Sequence, residues 1–147
     1  NRALQLFNKT NQFNFGLNRY NSKELNKIIR DKKYKIKLFD FSDKFGNHGI
    51  IGAYILKLEK NKYTIIDFVL SCRVLSRYVE DYVLLKIANS HPKKEMFINY
   101  NKTILNNHLI PKFLDKKFFS PKKKQKNNLT YRIIENEIPN EVKKLFN

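Results

Sequence analysis

Apolar residues recur at helical spacing through the first thirty positions and at every second position after that. In ALQLFNKTNQF, residues 3–13, Leu4, Phe7 and Asn11 share one face, and Gly16 breaks the pattern. Asn21 or Ser22 can cap a second helix, SKELNKIIRD, with Leu25, Ile28 and Ile29 as its apolar stripe. The period then drops to two. Tyr34, Ile36, Leu38 and Asp40 alternate with Lys35, Lys37 and Phe39, which predicts a strand with one buried face. SDKFGNHG at 42–49 reads as a turn, IIGAYILKLE as a second strand and EKNK at 59–62 as a hairpin turn.

YTIIDFVLSCRVL, residues 63–75, is apolar almost throughout, as expected of a central strand buried on both faces. It runs through a tight turn into a helix that starts at Ser76. Glu80 and Asp81 occupy the first helical turn, where the dipole favours acids, and Val79, Val83, Leu84 and Ile87 form the inner stripe. His91-Pro92 ends that helix. EMFINY at 95–100 predicts a fourth strand, and residues 103–117 a helix interrupted at Pro111. Phe118-Phe119, an exposed basic loop containing KKKQK at 122–126, and the stretch 129–134 complete a hairpin before a terminal helical turn. This order predicts an α/β domain, a mixed sheet flanked by helices.

Composition adds further constraints. At 147 residues, 41% of them apolar with 12 Phe and 8 Tyr, one domain with a full core is expected. The chain opens on Asn1 inside an amphipathic pattern, so a fragment of a longer protein is expected. Thirty basic against 13 acidic residues give a net charge of +17, a field that attracts polyanions and acidic proteins. Abundant Lys, Asn and Ile would also follow from an AT-rich coding bias, with no polyanionic partner. A single Cys72 excludes an internal disulfide and, with no signal-like N-terminus, points to the cytoplasm. No apolar run is long enough for a membrane helix, and the His and Cys residues are too scattered for a metal site.

The chemistry concentrates at the strand-to-helix turn. Arg73, Val74, Leu75, Ser76, Arg77 and Tyr78 lie where backbone N–H groups at a helix start can meet an anion; Ser76 can cap the helix and Arg77 can grip a phosphate with two donors. The alternative is a turn kept for packing. Cys72 is either a nucleophilic thiol beside Arg73 and Arg77 or a small buried hydrophobe. His48 is a candidate base in a glycine-containing turn. Asn11, Gln12, Asn14 and Arg19, flanked by Phe13 and Phe15, suit either the wall of a substrate pocket or a set of caps and loop bonds.

Three strings carry a family resemblance: TNQFNFGLNRY at 10–20, DKFGNHGIIG at 43–52 and LSCRVLSRYVE at 70–80. Together they resemble the C-terminal GNAT-like domain of FkbH-like proteins across most of residues 4–120. The resemblance implies a GNAT fold in which the turn, matching R/Q-x-x-G-x-G/A, holds the phosphates of coenzyme A or of a carrier protein's phosphopantetheine. Ser76 and Tyr78 stand where that pattern has small residues. It implies a V-shaped gap between the third and fourth strands for the thioester arm, and a loop at 10–19 over the acceptor site. Asn106, in a T-x-x-N string with Thr103, belongs to the implied substrate site. Leu114 stands where GNAT enzymes often carry a proton-donating Tyr. The implied whole protein carries an N-terminal HAD-type phosphatase-like domain in cis and loads a glyceryl unit onto an acyl carrier protein as a thioester. Two other functions fit the sequence: a non-catalytic module supporting that phosphatase-like half, and a basic nucleic-acid-binding domain, for which no reader motif is present.

Overall fold

The computed structural model describes residues 1–75 and 78–145. Helices α1 (Arg2–Lys9) and α2 (Ser22–Arg30) open the chain. Each is capped as its sequence dictates. Asn1 accepts from Ala3 N, and Asn21 and Glu24 form a reciprocal capping box. Leu25 is buried on α2, Ile28 is half-buried and Ile29 is exposed, so the apolar stripe is narrower than the pattern predicts.

Six strands follow: β1 (Tyr34–Asp43), β2 (Gly46–Leu58), β3 (Lys62–Leu70), β4 (Glu95–Asn101), β5 (Phe119–Gln125) and β6 (Asn128–Ile133). They form one sheet in the order β1-β2-β3-β4-β6-β5. All neighbours are antiparallel except β3 and β4, joined through α3 (Val79–Ser90). The short helices α4 (Leu109–Leu114) and α5 (Glu141–Leu145) complete the fold. Ala3, Leu6, Phe7 and Leu25 of α1 and α2 pack on Ala53, Ile55 and Val69 on one face of the sheet. Apolar residues of α3, α4 and α5 pack with Leu56, Phe68, Met96 and Ile98 in the larger core. The architecture is the predicted mixed α/β sandwich, with helices on both faces.

The helix expected from Ser76 starts at Val79, with Tyr78 and not Ser76 at its N-cap. Four further boundaries differ from the pattern. The first hairpin has no eight-residue turn: β1 runs to Asp43 and β2 starts at Gly46, at φ 125°. Residues 122–125 belong to β5, which pairs with β6, so most of the basic run is strand and not loop; Lys side chains tolerate an exposed edge strand. The helix predicted over 103–117 shrinks to Leu109–Leu114, where Pro111 sits in the first turn and owes no intrahelical hydrogen bond. Finally, β3 ends at Leu70. Ser71 N donates to Ile51 O at 2.7 Å, and Cys72–Val74 then turn as a 3-10 helix, which frees Arg73 from a buried strand.

The parallel pair is short. β3 and β4 are in register only from Lys62↔Glu95 to Ile65↔Ile98 and then part. The opening is filled by the loop after α1. Phe15 N donates to Phe68 O and Leu70 N to Phe13 O, both at 3.0 Å, while Asn101 N donates to Phe15 O at 2.8 Å. Residues 13–15 therefore act as a short antiparallel strand on β3 that also ties the end of β4. Phe13 and Phe15 turn into the core against Phe68, Tyr100 and Phe113. Gly16 follows because nothing larger fits: an added Cβ would lie 1.9 Å from Asp67 Oδ1 and 2.8 Å from Ile66 O. The Gly16→Ala variant is expected to lose about 2–3 kcal/mol of stability, the scale of an overpacked core, as read by urea unfolding. An unchanged midpoint would mean that the segment does not hold this position in solution.

Candidate functional site

The three strings converge on one end of the sheet, at the carboxyl ends of the parallel strands β3 and β4. That is where sheets of this kind open a crevice, because the chains leaving parallel neighbours diverge. The turn after β3, the β1–β2 hairpin and the 10–20 loop all reach this end.

A cleft of about 330 Å³ lies between the turn and α4. Phe13, Leu75, Leu109 and Phe113 give it an apolar lining, and Tyr78, Glu80, Lys112 and Lys116 bring polar groups. Of the predicted phosphate turn, Arg73, Val74, Leu75 and Tyr78 are described, and Leu75 and Tyr78 line the cleft; Ser76 and Arg77 lie outside the described residues. Val74 is fully buried and anchors the turn. Tyr78 is the N-cap of α3 at φ 62°, ψ 16°, a left-handed conformation that glycine adopts without strain. A left-handed backbone at this point starts α3 directly from the turn. The Tyr78 side chain is 52% exposed, with the Lys116 ammonium 5.3 Å from the ring centre. Lys116 also bonds both carboxylate oxygens of buried Asp81, at 2.7 and 2.8 Å, which clamps α4 to the start of α3. Lys112 is exposed and has no carboxylate partner among the described residues.

On the other side of the turn, His48 Nε2 lies 3.1 Å from Asp43 Oδ2, and its ring lies tilted against Phe41 with centroids 5.4 Å apart. The Arg73 guanidinium reaches the carbonyl of His48 and the hydroxyl of Ser71, both at 3.4 Å. The structure therefore joins the 43–52 string to the 70–80 string through Arg73 and His48, and Arg73 faces the hairpin. Cys72 is exposed at the start of the 3-10 turn and not buried in a strand.

The polar group at 10–19 is largely turned inward. Asn14 is fully buried, donates to Phe7 O and Thr10 O, and accepts from Leu17 N. Arg19 donates to Phe7 O and Thr10 O at the end of α1 and to the side chain of Asn11. Asn106, also fully buried, donates to Asn14 O and Asn101 O and accepts from Thr103 N. Asn14 and Asn106 thus spend their amides on backbone partners and hold the 13–15 segment against β4. Gln12 is exposed. Leu114 is buried. The Tyr100 hydroxyl donates to Asn106 O at 2.9 Å, and burial raises its pKa to about 12.

The residue that the pattern did not single out is Asp67. Alternation along β3 would place it among buried positions, and a buried carboxylate needs donors. Tyr20 Oη donates to Asp67 Oδ2, and Asn18 Nδ2 lies 3.1 and 3.3 Å from its two oxygens. Burial, only partly offset by these bonds, raises the Asp67 pKa from 3.8 to about 6. Among the described residues no cluster of His, Cys, Asp or Glu could hold a metal ion, and no helix is long and apolar enough to cross a membrane.

Comparison with known proteins places this fold. No family model and no curated protein sequence matches the chain. Solved structures do. An acetyltransferase from Thermus thermophilus aligns over 90% of this chain and 80% of its own, with TM-score 0.60 and 13% identity. A putative acetyltransferase of the GNAT family from Bacteroides thetaiotaomicron aligns over 77% and 69%, with TM-score 0.57 and 10% identity. The PaiA N-acetyltransferase from Thermoplasma acidophilum, solved in complex with coenzyme A, aligns over 67% and 60%, with TM-score 0.52 and 19% identity. The fold is that of the GNAT acetyltransferases.

Asp67 yields a pH prediction. Its folded pKa of about 6 exceeds the ordinary 3.8, so between these values the native state binds the extra proton. Stability from this group is therefore full below pH 4 and is lost as pH rises through 6. Asp67→Asn removes the buried charge and keeps an acceptor for Tyr20. It is expected to be about 1–3 kcal/mol more stable than the wild type at about pH 8 and indistinguishable from it near pH 4, by urea unfolding at both values. Equal gains at both pH values would show that the carboxylate is not the cause.

Proposed function

We propose that this chain is the GNAT-like, acyltransferase-type domain of an FkbH-like protein that loads a glyceryl unit onto an acyl carrier protein as a thioester. In this reading the cleft between the 73–78 turn and α4 receives the phosphate-bearing end of the phosphopantetheine arm, and a HAD-type phosphatase-like domain in cis supplies the acyl group, in the cytoplasm. The observation that carries it is the cleft itself. It joins an apolar lining to the exposed Lys112 ammonium, beside a turn that ends in the left-handed backbone of Tyr78. The Thermoplasma neighbour of the same fold was solved with coenzyme A, a molecule that contains the same arm.

The sealed opening between β3 and β4 constrains how such an arm lies. With Phe13 and Phe15 bonded to Phe68 and Leu70, those β3 backbone groups are not free to pair with it. The arm then runs over Leu75, Leu109 and Phe113, outside the sheet. The same observation favours a second reading, a non-catalytic module supporting the phosphatase-like half; Leu114 in place of a hydroxyl agrees with it. An acyl-transfer rate by the isolated domain with a glyceryl- or acetyl-thioester donor would rule that second reading out.

Lys112→Glu tests the cleft. The variant is expected to bind phosphopantetheinylated carrier protein about tenfold more weakly at low salt, and to bind the carrier lacking the arm as the wild type does, by calorimetric titration. Carrier protein that binds equally well with and without its arm would overturn the assignment.

A further inference from the structure

The strongest surface feature outside the cleft is the tip of the β5–β6 hairpin. From Lys116 to Ile134 the chain carries seven basic residues and no acidic one. At the tip, Lys102, Lys124 and Lys126 surround a depression of about 350 Å³ with Leu129 among its lining residues. None of these three lysines is paired with a carboxylate among the described residues. Ile104 and Leu105 stand beside them, 87% and 51% exposed.

Lysines on an edge strand often serve only to discourage strand-to-strand aggregation. That accounts for Lys122 and Lys123 but not for this tip. Lys102 comes from the end of β4, and two exposed apolar side chains would promote aggregation and not prevent it. They are also held outward. Asn106 Oδ1 accepts from Thr103 N at 2.8 Å, Leu105 N donates to Thr103 Oγ1 at 3.1 Å, and the buried Asn106 amide ties the turn to Asn14 O. An apolar pair on a hydrogen-bonded turn, ringed by ammonium groups with no carboxylate partner among the described residues, has the make-up of an interaction surface for a protein with apolar side chains among carboxylates. The tip lies at the carboxyl end of β4, since Asn101 pairs with Asn128. The turn leads directly into α4, whose Leu109 and Lys112 line the cleft. Surface and cleft thus share one end of the sheet and one continuous piece of chain.

We propose that the turn at 103–105 and the hairpin tip form the docking surface for an acidic protein, which positions that partner's reactive group at the cleft. The inference rests on the reading above in taking the partner to be the acyl carrier protein. The probe is carrier protein without its phosphopantetheine arm, titrated at low salt, so that the cleft contributes nothing. The Lys102→Glu/Lys124→Glu variant is expected to bind it at least tenfold more weakly, with a smaller salt dependence. Lys60→Glu/Lys93→Glu, the same change in net charge at the opposite end of the sheet, is expected to weaken binding less than threefold. Ile104→Ser, with charge unchanged, is expected to weaken it about fivefold. Equal losses in the two charge-reversed pairs, or no binding of the arm-less carrier by the wild type, would overturn the proposal. So would a single-stranded oligonucleotide that displaces the carrier at equal concentration, which would make the tip a general polyanion surface. A carrier whose arm adds no affinity, while the hairpin variants still lose binding, would reject the cleft and leave the docking surface standing.

Discussion

Three backbone hydrogen bonds hold this fold together across its weakest seam. The parallel contact in the sheet lasts four residue pairs, and beyond it β3 and β4 separate. Residues 13–15 enter that space, bond to both strands, and place two phenyl rings in the larger core. Much of the surrounding polar structure serves this insertion. Asn14 and Asn106 fix the segment from either side, Arg19 closes the end of α1 behind it, and Asn18 and Tyr20 satisfy the carboxylate that Gly16 passes. The side chains that suggest a binding pocket in the sequence are therefore, in the structure, largely the fastenings of a strand.

The insertion also decides what is left for chemistry. It closes the strand gap and leaves the rim of the sheet, where the 73–78 turn, α4 and the first hairpin meet. On one side of the turn lies an apolar cleft edged by lysines; on the other, Arg73, His48 and Asp43 form a polar cluster. Buried Asp81 and Lys116 fix the spacing between turn and α4. The turn thus separates two environments, an apolar cleft with lysines at its rim and a cluster of ionisable side chains.

Most of the fold was legible in the sequence. The switch from helical to alternating spacing near residue 33 marks the start of the sheet, and the almost continuous apolarity of 63–70 marks its centre. The capping pair Asn21-Ser22 and the acids at Glu80 and Asp81 mark helix starts. Boundaries failed where tertiary partners override local pattern. Asn106 closes a turn inside a stretch that reads as helix, and β6 recruits lysines that read as loop. The candidate site was legible as a set of strings but not as an arrangement. Nothing in TNQFNF distinguishes a pocket wall from a strand whose partners lie far along the chain. Asp67 carried a signal, an acid inside an apolar strand, but its donors Tyr20 and Asn18 are invisible without the fold.

The inserted segment has a consequence for how the chain comes into being. Phe13 and Phe15 are made early, yet their partners are Phe68, Leu70 and Asn101. During synthesis the N-terminal helices must wait, two apolar rings uncovered, until the chain through β4 has left the ribosome. Contacts so distant in sequence carry a large loop-closure cost and slow the search for the native state. The segment made early is therefore secured only once the chain as far as Asn101 is available to it.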